Sequence, residues 1–242
     1  MTMAAPSDDA HLPELAALQA VIAERREDDP LIGAKLGSEL ALKQLLHQLQ
    51  TERGVHAETL MATAGVLIGQ SLQASVWAEA EQAGQNSVAG LHLVRCQDDS
   101  CYFVGEPLNR KLLVGYDSPW QLLGEAAKQE GCERLPDGEQ LLLEGIQRLC
   151  TSAFGRPQVP AAHTPAELAA AEQGDLWLRF GPFCNACCSD PAEWPLLFGL
   201  VAARALRMVT THLSPELAFR LAMDAAIDAA KVPLAGHSMA GG

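Results

Sequence analysis

Basic residues are scarce in this sequence. Its 242 residues include 17 Lys and Arg against 30 Asp and Glu, so the formal net charge at pH 7 is −13. A chain this acidic repels the phosphates of nucleic acids and the headgroups of anionic lipids. We therefore expect a protein that binds neither nucleic acid nor a membrane surface.

The sequence also has no evident export signal and no convincing membrane span. Residues 1–9 contain no basic segment followed by an apolar one, which predicts a cytoplasmic location. Residues 59–78 carry no charge and match the length of a transmembrane helix. However, six polar side chains interrupt this stretch, and the nearest Lys or Arg residues are Arg53 and Arg95. We interpret it as a buried core helix.

A complete catalytic signature is missing as well. The chain has no G-x-S-x-G, H-E-x-x-H or phosphate-binding loop pattern, and its seven His residues are scattered. Hydrophobic residues nevertheless make up 48% of the sequence, which is enough for a folded core. The sequence therefore predicts a folded protein, and none of its motifs identifies a substrate.

Apolar residues repeat at helical spacing over most of the chain. Three helices are predicted before residue 83, and the third, over 56–82, contains small residues that would let another backbone approach closely. The last helix covers 214–231 and bears a polar stripe of Glu216, Arg220, Asp224 and Asp228. Four further helix starts have a capping side chain next to a proline. They are Ser118-Pro119, Pro136-Asp137, Thr164-Pro165 and Asp190-Pro191.

Strands are predicted in two places. Residues 91–96 and 101–104 alternate in polarity around a four-residue loop, which predicts a β-hairpin with Cys96 opposite Cys101. Residues 176–180 alternate too and predict a third strand.

These elements predict a mostly α-helical α+β fold, with helices packed around a small antiparallel hairpin or three-stranded sheet. A single globular domain should cover residues 12–233, with a possible internal seam near 153–163. The tails, residues 1–11 and 234–242, should be flexible.

Three of the seven cysteines lie within five residues, directly before the predicted helix start at Asp190. They are Cys184, Cys187 and Cys188. A thiolate is both a nucleophile and a soft metal ligand, so the segment could be a redox pair or half of a zinc site. The hairpin residues Cys96 and Cys101 could supply two more zinc ligands. The alternative is that the cysteines fill the core as small hydrophobic residues.

The cellular compartment bears on these thiols. Cytoplasmic thiols are kept reduced, and an odd number of cysteines argues against a framework of structural disulfides. We therefore expect free or metal-bound thiols. Against a redox role, the negative charge of Asp190 opposes ionisation of the thiols beside it.

Three polar residues near the hairpin are weaker candidates for ligand binding. His92 lies on the first predicted strand, and Glu106 and Asn109 lie on the loop predicted to leave the second. Side chains in such places more commonly bond to the turn backbone or pack at the rim of the core.

The middle of the chain, about residues 57–160, resembles a bacterial protein family of unknown function. The residues that carry the resemblance are Gly69, Gln73, Val76, Tyr102-Phe103-Val104-Gly105-Glu106-Pro107-Leu108-Asn109, Leu112, Trp120 and Leu135-Pro136-Asp137. The resemblance implies a soluble bacterial protein with a helical front half followed by a hairpin. It implies no activity, ligand or cofactor, and it does not reach the cysteine segment.

Taken together, these patterns favour a cytoplasmic protein that acts through self-association, as a homodimer, or through binding of another partner. The reason is that alanine-rich and small-residue helix faces are present while no catalytic set is complete. The alternative is a thiol-dependent protein that binds zinc or performs redox chemistry at residues 184–188. No other cofactor is predicted.

Overall fold

The described part of the chain, residues 12–166 and 170–234 of a computed structural model, contains nine α-helices and one β-hairpin. In chain order the elements are α1 (Leu12–Arg25), α2 (Ile32–Leu49), α3 (Ala57–Gln82), β1 (Leu91–Arg95), β2 (Cys101–Gly105), α4 (Glu106–Leu113), α5 (Pro119–Gln129), α6 (Gly138–Arg148), α7 (Ala170–Cys187), α8 (Glu193–Val209) and α9 (Pro215–Ala229). The predicted mostly helical α+β fold is confirmed. No helix in these ranges is long and apolar enough to cross a membrane.

Helix α3 is the centre of the fold, and α9 lies directly against it. A Cβ atom added at Gly65 of α3 would overlap the carbonyl oxygen of Ala222, and one added at Gly69 would lie 2.6 Å from the amide nitrogen of Ala230. The two backbones therefore touch with no side chain between them. The prediction that this helix lets another backbone approach is confirmed, and the neighbour is a helix of the same chain.

The remaining helices cover this pair. Helix α8 packs against α3, and α2 and α5 pack against α8. The largest cluster of buried apolar side chains extends from Ile22 in α1 to Leu234 beyond α9. Leu234, predicted to begin a flexible tail, is buried, and its backbone N–H donates to Oε1 of Gln73 at 2.8 Å. The rest of the two predicted tails lies outside the described residues.

Local capping explains several helix starts that the sequence predicted. The side-chain oxygens of Ser118, Asp137 and Ser214 each accept a hydrogen bond from the backbone N–H three residues later. Helix α8 begins differently, because Oε1 of Glu193 reaches back to accept the N–H groups of Ser189 and Asp190, both at 3.1 Å. The predicted helix start at Thr164 is not observed, since residues 164–166 are not helical and residues 167–169 lie outside the described ranges.

The predicted hairpin is confirmed, but its register differs from the expected one. Arg95 lies opposite Cys101, so the prediction that Cys96 faces Cys101 is wrong. The outer edge of β2 is attached to the helices, because the N–H of Phe103 donates to the carbonyl oxygen of Lys231 at 2.7 Å. The hairpin thereby lies at the C-terminal end of α9.

The third strand predicted at residues 176–180 is wrong, because these residues belong to α7. Alternation over five residues does not distinguish a strand from a short part of a helix. The buried residues that follow show the helical period, since Phe180, Cys184 and Cys187 are spaced by four and three positions. Phe180 packs against Phe198 of α8 with ring centroids 5.9 Å apart.

The contact between α3 and α9 yields a stability prediction. Gly65→Ala should lower the free energy of unfolding by about 3 kcal/mol, because the added Cβ forces two backbones apart. The change is measured by urea denaturation.

The matched control is Gly124→Ala in α5, where the atom nearest to the added Cβ is the flexible end of the Leu135 side chain, at 2.9 Å, and Phe219 lies at an ordinary contact distance of 3.8 Å. This control should change the free energy of unfolding by less than about 1 kcal/mol. Equal losses in the two variants would contradict the close contact.

Candidate functional site

A largely irregular segment, residues 149–166, leads from α6 over the outside of α9 and α3, and we call it the strap. Its first attachment is covalent. Cys150 forms a disulfide with Cys96, the residue after β1, with Cα atoms 5.5 Å apart. The expectation of free or metal-bound thiols is therefore wrong for Cys96. Beside this bond, the rings of Phe154 and Tyr102 pack with centroids 4.5 Å apart.

The second attachment consists of two carboxylates of α9. Oδ2 of Asp228 accepts a hydrogen bond from the backbone N–H of Gly155 at 3.0 Å. Oδ2 of Asp224 accepts one from the N–H of Gln158 at 2.9 Å. Both aspartates are almost completely buried, with exposures of 3% for Asp228 and 0% for Asp224. Two residues of the predicted polar stripe thus point into the protein and hold the strap.

The third attachment is the N-terminal turn of α3. Oε1 of Glu58 lies 2.9 Å from Nδ1 of His163, and Oε2 lies 3.3 Å from Nε2 of His56. The hydroxyl of Thr59 accepts the backbone N–H of Ala166 at 3.0 Å. Burial raises the pKa of Glu58, but the hydrogen bond and charge of His163 and the charge of His56 outweigh it, so the pKa is lowered overall.

Cations balance the buried carboxylates. Nη2 of Arg148, at the end of α6, lies 3.0 Å from Oδ1 of Asp228 and 3.8 Å from Oδ1 of Asp224. Nε of Arg220 donates to Oδ2 of Asp224 at 3.0 Å, and its guanidinium also pairs with Glu144. A buried carboxylate without such partners would be strongly destabilising, so Arg148 and the strap N–H groups together make this burial tolerable.

Burial shifts two of these groups. It raises the pKa of Asp228 despite the opposing charges of Arg148 and Lys231. It also lowers the pKa of Lys231 to about 8, against the charge of Asp228. Nζ of Lys231 donates to the carbonyl oxygen of Ile227 at 2.6 Å. Shifted pKa values of this kind are common in functional sites and also occur in structural ion pairs.

Between the strap and the two helices lies a cleft of about 490 Å³. Its floor is made of small apolar side chains from α3 and α9, and the strap forms its roof and one polar edge. The lining residues are Ala62, Val66, Gly155, Arg156, Pro157, Val159, Ala161, Thr164, Pro165, Ala225 and Asp228. The space exists because alanines stand where larger side chains would reach the strap. The arrangement can enclose a small molecule against an apolar surface.

The cysteine segment lies elsewhere, between two helices: Cys184 and Cys187 belong to the C-terminal end of α7, and Cys188 precedes the start of α8 at Glu193, as predicted. Cys184, Cys187 and Cys188 are all buried. Cys187 faces α2, where a Cβ added at Gly37 would lie 3.3 Å from its Sγ atom, and its carbonyl oxygen accepts a 2.7 Å hydrogen bond from Arg26. Within residues 12–166 and 170–234, no three or more His, Cys, Asp or Glu side chains are grouped to hold a metal ion.

Burial controls the chemistry of these three thiols. It raises the pKa of Cys187 to about 12, and it raises the pKa of Cys184 and Cys188 as well, with neighbouring thiols and Glu193 adding to the effect. A helix C-terminus also disfavours a negative charge. The thiols are therefore protonated at neutral pH, which suits core packing better than nucleophilic redox chemistry.

The three weaker candidates do not share a pocket. His92 is exposed on β1, and Glu106 is the exposed first residue of α4. Asn109 lies one turn further along α4 and borders a groove of only about 20 Å³ together with Ile146 and Lys231. The prediction that Glu106 and Asn109 lie on a loop is wrong, because Pro107 sits at the start of a helix, where its missing N–H costs nothing.

Several residues of the site were not singled out from the sequence, among them Cys150, Arg148, Glu58 and His163. One signal was available: Asp224 and Asp228 lie one turn apart on a helix whose neighbouring positions are alanines. Two aspartates on an alanine-rich helix face indicate either an exposed polar stripe or a buried pair that needs a cation. The packing of α6 and the strap against α9 decides between these two possibilities.

No protein-family model, curated protein or solved structure matches the chain. The resemblance of residues 57–160 to a bacterial family therefore stays a prediction.

The thiols can be tested by alkylation of the native protein with iodoacetamide. Cys101, which is partly exposed and free, should react first. Cys184, Cys187 and Cys188 should react at least about tenfold more slowly, because they are buried and protonated. Labelling is read residue by residue by peptide mass spectrometry.

Urea-unfolded protein serves as the control, since all free cysteines should then react at similar rates. Labelling of Cys188 as fast as that of Cys101 in the native state would contradict this expectation and support a reactive-thiol role for residues 184–188.

Proposed function

We propose that the protein acts by binding a small, uncharged and largely apolar molecule in the cleft beneath the strap. The observation that carries the proposal is the cleft itself, with its volume of about 490 Å³ and its alanine-rich floor. Ligand pockets in proteins usually occupy about 300–1,000 Å³ and combine a mostly apolar lining with a few polar groups. The cleft meets both conditions.

The chemistry of the lining favours an uncharged ligand. Ala62, Val66 and Ala225 offer no side-chain hydrogen bonds, so a strongly polar ligand would lose water without gaining partners. Asp228 borders the cleft and the whole chain carries a net charge of −13, which disfavours anions. The few polar groups at the edge, such as Thr164 and Arg156, are enough to orient a ligand.

The ion cluster beside the cleft supports the same site. The pKa of Asp228 is raised and that of Lys231 is lowered, both through burial. Groups with shifted pKa values next to a concave apolar site are a common mark of a binding or active site. In this proposal Asp228 holds the roof of the cleft in place through its hydrogen bond to the N–H of Gly155.

Self-association as a homodimer is a separate proposal. The sequence suggested it through small-residue helix faces, but the structure offers a different surface for it. The small-residue faces of α3 and α9 pack against each other within one chain. The outer face of α6, where Leu143 and Ile146 are 48% and 49% exposed, is the surface that would carry a second copy. A cytoplasmic location and a zinc or redox role for residues 184–188 likewise stay predictions.

Binding is tested with Nile red, an uncharged apolar fluorophore whose emission rises in apolar surroundings. The wild-type protein should bind it with saturable fluorescence. Ala225→Leu places a larger side chain on the floor of the cleft and should weaken binding at least about tenfold, because the ligand and the new side chain compete for the same volume.

Ala23→Leu, on the exposed face of α1, is the matched control and should bind Nile red as the wild type does. Thermal unfolding shows whether both variants keep the fold. If a folded Ala225→Leu variant binds the dye with unchanged affinity, the cleft is not the binding site.

A further inference from the structure

The disulfide between Cys96 and Cys150 joins the end of β1 to the start of the strap, which also contact each other through the rings of Tyr102 and Phe154. Cys96 follows β1 and is buried, whereas Cys150 is the second residue of the strap and is exposed. The Cys150 end of the bond is therefore the end that a thiol reductant in solvent would approach. Among the described residues it is the single disulfide, and the other five cysteines described are free.

The backbone at Cys150 is in an uncommon conformation. Its φ angle is +59°, in the left-handed region that residues other than glycine seldom adopt. Such a conformation persists only where surrounding structure imposes it. Here the turn that ends α6 imposes it: Leu149 is extended, with φ −55° and ψ 139°, and the N–H of Thr151 donates to the carbonyl oxygen of Arg148 at 3.0 Å, as in a type II turn. The disulfide joins this turn, where the strap begins, to Cys96.

Beyond the disulfide, the first half of the strap is held by the α9 carboxylates and by the contact of Phe154 with Tyr102. Two hydrogen bonds to backbone N–H groups keep Gly155 and Gln158 in place. Without the covalent bond, these contacts must also offset the conformational freedom that the strap regains. The roof of the cleft should then open more often.

We propose that the Cys96–Cys150 bond is a redox-controlled link between the hairpin and the strap. Its reduction frees the strap and opens the cleft. The part that concerns the cleft rests on the proposed function, whereas the release of the strap does not. Exposed disulfides are the class that is labile and regulatory.

The chemical step is a thiol–disulfide exchange with a dithiol reductant. The reductant's thiolate attacks one sulfur, the S–S bond breaks, and a mixed disulfide forms. The reductant's second thiol then attacks the reductant's own sulfur in the mixed disulfide, which releases the protein's sulfur and forms a disulfide within the reductant. Two electrons pass from the reductant to the protein, and two protons end on Cys96 and Cys150 as thiols.

The release of the strap is tested by amide hydrogen exchange on the full chain, followed by NMR, before and after treatment with dithiothreitol. Exchange at Gly155 and Gln158 should become at least about tenfold faster on reduction. Exchange at Leu67, in the buried centre of α3, should stay the same. Equal exchange at Gly155 and Gln158 in both redox states overturns the proposal.

Two variants control for the identity of the bond. A Cys96→Ser/Cys150→Ser protein should exchange fast at Gly155 without reductant and should not respond to it. Cys101→Ser removes a free, partly exposed thiol on the neighbouring strand and should respond as the wild type does. If the Cys101→Ser variant does not respond to the reductant, the response depends on Cys101 and the proposal is contradicted.

Access to the cleft is measured separately as the association rate constant of Nile red, which should rise at least about tenfold on reduction. Faster amide exchange with an unchanged association rate would refute control of the cleft. If Nile red binds to neither form, the proposed function fails, while the exchange data still decide whether the strap is released.

Discussion

The backbone contact between α3 and α9 is the constraint on which the rest of the structure depends. Because Gly65 and Gly69 let α9 lie against α3 without intervening side chains, the surface that the pair presents is narrow and made of small residues. Ala62, Val66 and Ala225 on that surface cannot fill the space beneath a segment that crosses over them. The cleft is thus a consequence of how closely the two helices approach each other.

Placing α9 in the centre also buries its charges. Asp224 and Asp228 would be costly there without partners, and the fold supplies Arg148, Arg220 and two N–H groups of the strap. The same carboxylates therefore satisfy the ion pairs of the interior and hold the roof of the cleft. The strap is also attached at its two ends, by the disulfide at its start and by contacts with Glu58 and Thr59 near its end. Under the proposed function, these few groups couple stability to ligand access.

Local patterns predicted most helices and the hairpin, because caps such as Ser118 and Asp137 act within one turn. The strand predicted at 176–180 failed because a five-residue alternation competes with the helical stripe that continues to Cys187. The site was beyond such patterns. Its attachments join residues 54 positions apart at the disulfide and 105 apart at Glu58 and His163, and no periodicity in one sequence encodes those pairs.

The measurement that tests the central claim most directly is amide exchange at Gly155 in an Arg148→Met/Asp228→Leu variant. Replacing both partners with apolar side chains avoids leaving either charge of this pair buried alone, and thermal unfolding shows whether the variant keeps the fold. The Gly155 amide, deprived of its acceptor, should nevertheless exchange at least about tenfold faster. Glu216→Gln, on the exposed end of the same stripe, should leave that exchange unchanged. If Gly155 stays as protected in the double variant as in the wild type, buried carboxylates do not hold the strap.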